Sequence, residues 1–360
     1  MISVIYALIA LSILIFVHEL GHHLVARLAG VKVLVFSLGF GKKLLKFTKG
    51  ETEYALSAVP LGGYVKLLGE SPDEAVPEEE IGGSYSHKPP FVKILIAFSG
   101  PFFNVLFACL VFFAIFVSGH SVLSTKVGSV EKGFPADVAG VRPGDIIASI
   151  DGTKIEEWSE LMEIMAKSEV RPLRFGMKRD GQDLEVLITP RQIEGTNIFG
   201  EKIDRKVIGI VASNDFLQRQ ETLAGAVSKA VGQTYMLTEL TVVGIYKLIV
   251  GAISPKNVGG PILILEAAGK QAKEGKRNFA YFIALISINL GIVNLLPIPI
   301  LDGGHILFYL IEIVTRRKIS QRTIEVAQKV GITILVLIMA LAFFNDLDRL
   351  FNIKRFFGGG

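Results

Sequence analysis

The stretch FVHELGHHLV, Phe16 to Val25, constrains this chain more than any other. It carries His18-Glu19-x-x-His22 and continues from ISVIYALIALSILIFV, residues 2–17, a run without a charge that belongs in hydrocarbon. On a helix, residues four apart stack on one face about 6 Å apart along the axis, so His18 and His22 can address one metal ion with Glu19 beside it. Two neutral imidazoles suit zinc, and a carboxylate next to a metal-activated water can take its proton. With 6 His in 360 residues, chance co-occurrence of the pattern is improbable. Ionisable groups inside a spanning segment are costly and survive mainly where they serve function. His23 is turned about 100° from His22, cannot share the metal, and reads as an interfacial histidine.

The rest of the composition is that of a membrane protein. Half the residues are hydrophobic (50%) and 20% are charged, with the apolar residues clustered in runs at 2–17, 94–117, 279–301 and 330–344. The last run needs its neighbours from Gln328 to reach roughly 17 residues. The expected architecture is a polytopic α-helical membrane protein of about four spans, at 2–27, 91–118, 279–301 and 328–347. The first run lacks a basic n-region, with no Lys or Arg in Met1–Val17, and no small-residue cleavage site follows it; it is expected to be a retained span rather than a signal peptide. Arg27, Lys32, Lys42, Lys43, Lys46 and Lys49 follow the first span, and Arg316, Arg317, Lys318, Arg322 and Lys329 lie between the third and fourth. Both loops should be cytoplasmic, which puts residues 118–278 outside. The net charge of +4 then reflects topology, and nucleic acid is not an expected partner. A single Cys, Cys109 inside the second span, excludes an intrachain disulfide and a cysteine metal site.

Between the first two spans, residues 31–70 alternate apolar and polar and break at Gly39, Gly41, Gly50 and Gly62-Gly63, the spacing of short strands and hairpins. The acidic stretch ESPDEAVPEEE that follows reads as a solvated, mobile loop. Residues 125–192 form a compact α/β pattern, and its order, above all AGVRPGDIIASIDG, resembles a PDZ domain of the bacterial protease-associated type. Such domains bind peptide ends by adding a strand to a sheet edge, although a packed module without a ligand would carry the same pattern. Residues 193–278 are expected to be an amphipathic membrane-surface segment, because 222–253 is apolar but interrupted by Lys229, Glu239 and Lys247. A surface helix or helix pair is expected there rather than a fifth span.

Zinc in a hydrolase takes a third protein ligand and keeps an open position. NLGIVNLLPIPILDGGH ends the third expected span, and Pro297 and Pro299 break the helix just before Asp302-Gly303-Gly304. Broken helices at membrane depth are tolerated where they line a cavity, so Asp302 is the candidate third ligand and His305 its rival. Asn294, near the break, is a candidate donor to the scissile carbonyl or the substrate backbone, with an interhelical hydrogen bond as the alternative. Asn289, five residues earlier on another face, joins it as a candidate substrate-binding residue. In the second span, SGPFFN brings Gly100 and Pro101 to soften the helix and Asn104 as a polar group in lipid, which reads as packing beside the metal helix.

HELGHH in a first span, FSLGFG, PLGGYVK, GPFFN, one PDZ-like region, VGGP and NLLPIPILDGGH in this order resemble the site-2 protease family of intramembrane metalloproteases, nearest the bacterial regulator of sigma-E protease type. The resemblance implies a zinc endopeptidase of the bacterial inner membrane that cuts within single-span membrane protein substrates. It implies His18, His22 and Asp302 as zinc ligands, Glu19 as the base, the PDZ domain outside and the active site toward the cytoplasm. It also implies that a membrane-associated β-hairpin, here Glu53 to Leu68 with Gly62, Gly63 and Tyr64, holds substrate extended. The best-known gamma-proteobacterial members carry two tandem PDZ domains, whereas residues 125–192 leave room for one. A membrane scaffold that binds peptide tails at its PDZ domain without cleaving them is the alternative, and the intact Glu19 argues against it. A metal or proton transporter would need more spans and a continuous polar path.

Overall fold

The apolar N-terminal run is one helix, α1 (Ile2–Leu28), about 40 Å long at 1.5 Å per residue. It closes in a Schellman turn: Gly30 takes φ +67°, and the amide of Val31 donates to the carbonyl of Ala26 at 2.8 Å. The computed structural model describes residues 2–71, 75–197 and 199–351, and these fall into two compact units, Met1–Ile115 with Val227–Gly360 and Phe116–Ala226.

In the first unit, β1 (Val33–Lys49) and β2 (Thr52–Leu67) form an antiparallel pair that turns at Gly50, where φ is +64°. The two strands are long but bent by repeated register shifts, so they behave as the short strands the sequence predicts. Phe36 faces both Val65 and Tyr54, while Phe47 faces Tyr54 from the other side. The first part of β1 therefore lies between the end and the start of β2. The end of β2, Gly63 to Leu67, pairs with β1 on one side only among the described residues and is an edge. The acidic stretch after it is more ordered than expected where it is described. Glu78–Gly83 and Tyr85–His87 are 3₁₀ turns, and Lys32 Nζ donates to Glu80 at 3.0 Å. The helix α2 (Pro90–Ser118) follows, with Pro101 inside it.

The second unit begins at the end of α2 with β3 (His120–Leu123) and β4 (Val127–Val130), followed by α3 (Pro135–Val138), β5 (Ile146–Ile150), β6 (Thr153–Lys154), α4 (Trp158–Lys167), β7 (Leu173–Arg179) and β8 (Gln182–Ile188). Four of these strands make an antiparallel sheet in the order β6-β5-β7-β8. Its core gathers Ile147, Ile150, Phe175 and Met177 from the sheet with Leu161 and Met165 from α4. The unit does not end at residue 192. The strands β9 (Arg191–Thr196) and β10 (Lys202–Val207) pair with each other, β11 (Ile210–Ala212) pairs with β4, and β12 (Phe216–Arg219) pairs with β3. The expected surface segment 193–278 is thus corrected for its first part, where β9 and β10 form a hairpin and β11 and β12 are recruited by β4 and β3, far earlier in the chain.

The chain returns through α5 (Leu223–Ile249), one helix rather than a pair. It meets α7 (Lys276–Asn294) through Gln233 Nε2, which donates to Tyr281 Oη at 2.9 Å, and Thr241 Oγ1, which donates to Asn289 Oδ1 at 2.7 Å. Between them α6 (Pro261–Glu274) packs on α1. Among the described residues, the helices long and apolar enough to cross a membrane are α1, α2 and α9 (Gln321–Phe351). The third expected span corresponds to α7, which ends at Asn294 rather than 301, begins with Lys276-Arg277, and buries Ser287, Ile288 and Gly291 inside the protein. Residues 302–315, expected within a loop, form a helix, α8 (Asp302–Thr315), which stops at Arg316 in the left-handed region (φ +55°).

Candidate metal centre

The centre is built where α1 crosses α2. A side chain at Gly21 would run into the backbone of Ser99, and one at Gly100 would run into the imidazoles of His18 and His22. A glycine on each helix therefore lets the two approach closely, as small residues do between membrane helices. The turn of α2 before Pro101 supplies the first support. Proline removes one helical N–H and opens the turn preceding it. The carbonyl of Ile96 in that turn accepts the Nδ1 proton of His22 at 2.7 Å and the hydroxyl of Ser99 at 2.6 Å. With Nδ1 committed as a donor, the lone pair of His22 is on Nε2.

Asp302 arrives from α8. It opens the helix, where a carboxylate is favoured by the helix dipole, with Leu301 as N-cap. Gly303 and Gly304 have no room for a side chain because the carbonyls of Leu295, Leu296 and Ile298 lie against them. The Pro297–Pro299 turn thus folds back onto the first turn of α8 and aims Asp302 at α1. His18 Nε2 is 3.1 Å from Asp302 Oδ2, His22 Nε2 is 3.5 Å from Oδ1, and the two Nε2 atoms are 3.2 Å apart. The side chains keep 12%, 14% and 19% of their surface exposed, enough for entry from one side. Among the described residues this is the one group of three metal-capable side chains, with all ligand atoms within 4.8 Å of one another. Two imidazole nitrogens and a carboxylate at this separation fit a single zinc ion with an open position.

The other candidates divide. Asn294, the last residue of α7, holds Nδ2 3.4 Å from His18 Nε2. Asn289 is not brought to the centre; its Oδ1 is taken by Thr241 between α5 and α7. Gly63 lies against Glu19 Cγ and Ile15, Gly62 lies under the ring of Phe40, and Tyr64 stacks on Phe40 with ring centroids 6.3 Å apart. His305 is outside the donor cluster and packs edge-on to Phe308. His23 is not interfacial: it is 4% exposed, enclosed by Phe36 and Tyr54 of the hairpin. Asn104, expected from the sequence to pack beside the metal helix, has its amide Nδ2 3.2 Å from His18 Nδ1. The Gly-x-x-x-Asn spacing, one helical turn from the glycine at the crossing, was the available signal.

A helix with the length to cross a bilayer has no structural use for two imidazoles aimed at a carboxylate on another helix. A metal does, and this donor set beside a glutamate defines a membrane-embedded zinc hydrolase. The profile of peptidase family M50 matches residues 6–338. A relative in Campylobacter jejuni, named as a zinc metalloprotease, is 39% identical over 95% of this chain and 92% of its own. One in Helicobacter pylori strain J99 is 40% identical over 96% and 99%, and one in Mesorhizobium japonicum 36% identical over 94% and 97%, under the same description. The chain belongs to peptidase family M50, the site-2 protease family, and is a zinc metalloprotease of the membrane. Among solved structures, the PDZ domain of an SdrC-like protein from Listeria monocytogenes is 21% identical and covers 25% of this chain and 86% of that one, with a TM-score of 0.21.

Proposed function

We propose that this protein hydrolyses peptide bonds inside the spanning segments of single-span membrane proteins, as in regulated release of a membrane-held anti-sigma factor or clearance of remnant signal peptides. The observation that carries the reading is the convergence of His18 and His22, on a helix long and apolar enough to cross a membrane, with Asp302 of α8. The protein sits in the bacterial inner membrane. The basic residues after α1 and those from Arg316 to Lys329, between α8 and the start of α9, favour a cytoplasmic position for these two segments and an external one for the Phe116–Ala226 unit.

His18, His22 and Asp302 would hold zinc, which when bound supplies the Lewis acidity that activates water and polarises a carbonyl. Glu19 takes the proton of the attacking water and returns it to the leaving nitrogen. Asn294 donates its amide to the carbonyl oxygen as charge develops there. A helical substrate has its backbone hydrogen bonds satisfied internally, so it must unwind before a peptide bond can be reached. The edge of β2 offers unpaired backbone groups for that unwound segment, and Gly63 brings this edge against the catalytic carboxylate. Gly62 and Tyr64 flank the same position. In the second unit, a groove of about 600 Å³ lined by Phe134, Trp158, Leu161, Met162 and Ile210 is an apolar bed for a peptide end. This unit acts as a single PDZ-type module.

The test is cleavage of a tagged single-span substrate by the purified protein in detergent, run beside Glu19→Gln and a chelator-treated sample. Cuts within the span that both controls abolish support the reading. Equal behaviour of wild type and Glu19→Gln, both loaded with metal, would overturn it in favour of a peptide-binding scaffold.

A further inference from the structure

We propose that Asn104 is the positioning residue for His18, the counterpart of the Ile96 carbonyl that holds His22. The inference rests on the zinc-peptidase reading of the centre and deepens it. Asn104 is fully buried (0% exposed) in α2, one turn beyond Gly100. Its amide faces the Nδ1 of His18 at 3.2 Å, and its Oδ1 is buried without a hydrogen-bond partner. A buried amide in an apolar helix is expensive unless it is used, and here its reach is to a ligand histidine.

The chemistry of the two ends of the imidazole fixes the role. For Nε2 to offer a lone pair to a metal, Nδ1 must carry the proton and needs an acceptor. Half a turn of the Asn104 amide exchanges its oxygen and nitrogen, which brings Oδ1 to the position facing Nδ1. One polar atom of the amide stays unmet in either orientation, so the rotation costs no additional orphan. In the other orientation Nδ2 donates to Nδ1, and the His18 proton moves to Nε2, 3.1 Å from Asp302 Oδ2. An amide can serve both tautomers of His18 in turn, which neither an apolar nor a purely donating side chain can do. The residue itself is anchored from behind: Ser287 Oγ of α7 donates to the Asn104 backbone carbonyl at 2.7 Å, and Gly291 lies against its Cβ. Both ligand histidines of α1 are thus oriented by α2, one through a main-chain oxygen and one through a side chain.

The experiment compares full-length wild type, Asn104→Leu and Asn104→Asp in detergent, by zinc affinity from chelator competition and by the visible spectrum after cobalt replacement. Asn104→Leu, of similar shape but without an acceptor, should lose zinc affinity by about 10- to 100-fold and alter the cobalt bands. Asn104→Asp, which can only accept, should stay within about threefold of wild type. If Asn104→Leu does not fold, Asn104→Ala takes its place against the same Asp variant. Unchanged zinc affinity and cobalt spectrum in the Leu or Ala variant would overturn the proposal, as would equal losses in the Asp variant, which would mark a packing role. A wild-type protein that takes up no zinc would instead overturn the metalloprotease reading of the centre, and this proposal with it.

Discussion

Gly63 of β2 and Glu19 of α1 are in backbone-to-side-chain contact: a methyl group on Gly63 would lie 2.9 Å from Glu19 Cγ, 2.9 Å from Ile15 Cγ2 and 2.9 Å from the Ser37 carbonyl oxygen. The Ser37 oxygen belongs to the paired strand and cannot give way, so an added methyl is driven toward Glu19. Gly63→Ala should therefore keep its zinc and lose cleavage by about 10²-fold, the scale of a 1 Å misplacement of a catalytic group. Zinc content and initial rates on one substrate check this; a variant as fast as wild type would separate the hairpin from the chemistry.

Removal of the base and removal of the ligands should differ in kind. Glu19→Gln is expected to bind zinc normally and to lose about 10²- to 10⁴-fold in rate. Asp302→Asn and His22→Phe should lose zinc itself, because the remaining donors number two. Dialysis of wild type against a chelator should abolish cleavage, and added zinc should restore it in wild type alone among these proteins.

Asp145 is 1% exposed in the second unit and accepts from Arg179 Nε and Nη2, both at 2.7 Å, and from the Arg142 amide at 2.8 Å. The Arg179 guanidinium holds its carboxyl below the usual carboxylate range. A depressed folded-state pKa contributes stability above the unfolded value, near pH 4, and that stability fades as pH falls through the folded pKa. Arg179→Met should destabilise the unit by about 3 kcal/mol at neutral pH, since the buried carboxylate loses its partner. The difference from wild type should shrink below about pH 4. Trp158, the one tryptophan of the chain, lies in this unit and reports its unfolding by fluorescence. A pH-independent difference would show that the pair does not set the acid limit.

Asp346 of α9 caps a helix that is not its own. It is 2% exposed and accepts from the amides of Gly260 at 3.1 Å, Ile262 at 2.8 Å and Leu263 at 3.1 Å, at the start of α6. Asn345 beside it donates to the carbonyls of Pro255 at 2.8 Å and Val258 at 3.1 Å. Asp346→Ala orphans three donors at the start of α6, that of Gly260 buried, and should cost about 2 kcal/mol. Thermal unfolding in detergent together with protease nicking between residues 251 and 260 would register it. An unchanged melting temperature and nicking pattern would mean that α6 is held by its packing on α1, α7 and α9 without the cap.

The sequence by itself determined what depends on near neighbours. Four-residue spacing on an apolar helix was enough to bring His18 and His22 to one face, and glycine breaks with alternating residues foretold the bent strands of 31–70. The two prolines before Asp302 correctly signalled a break in the helix. Tertiary structure decided whatever depends on a distant partner. The strands after residue 192 were invisible because β12 carries little apolar pattern of its own and is ordered by β3; Gln218 and Ser121, in hydrogen bond at 2.6 Å, are 97 residues apart. The partner that each of three asparagines takes was likewise decided by tertiary structure. Asn289 is spent on Thr241, whereas Asn294 and Asn104 reach His18 from two different helices. A polar residue in an apolar helix announces that it needs a partner, because burial without one is costly, but which partner it finds is fixed by how the helices cross.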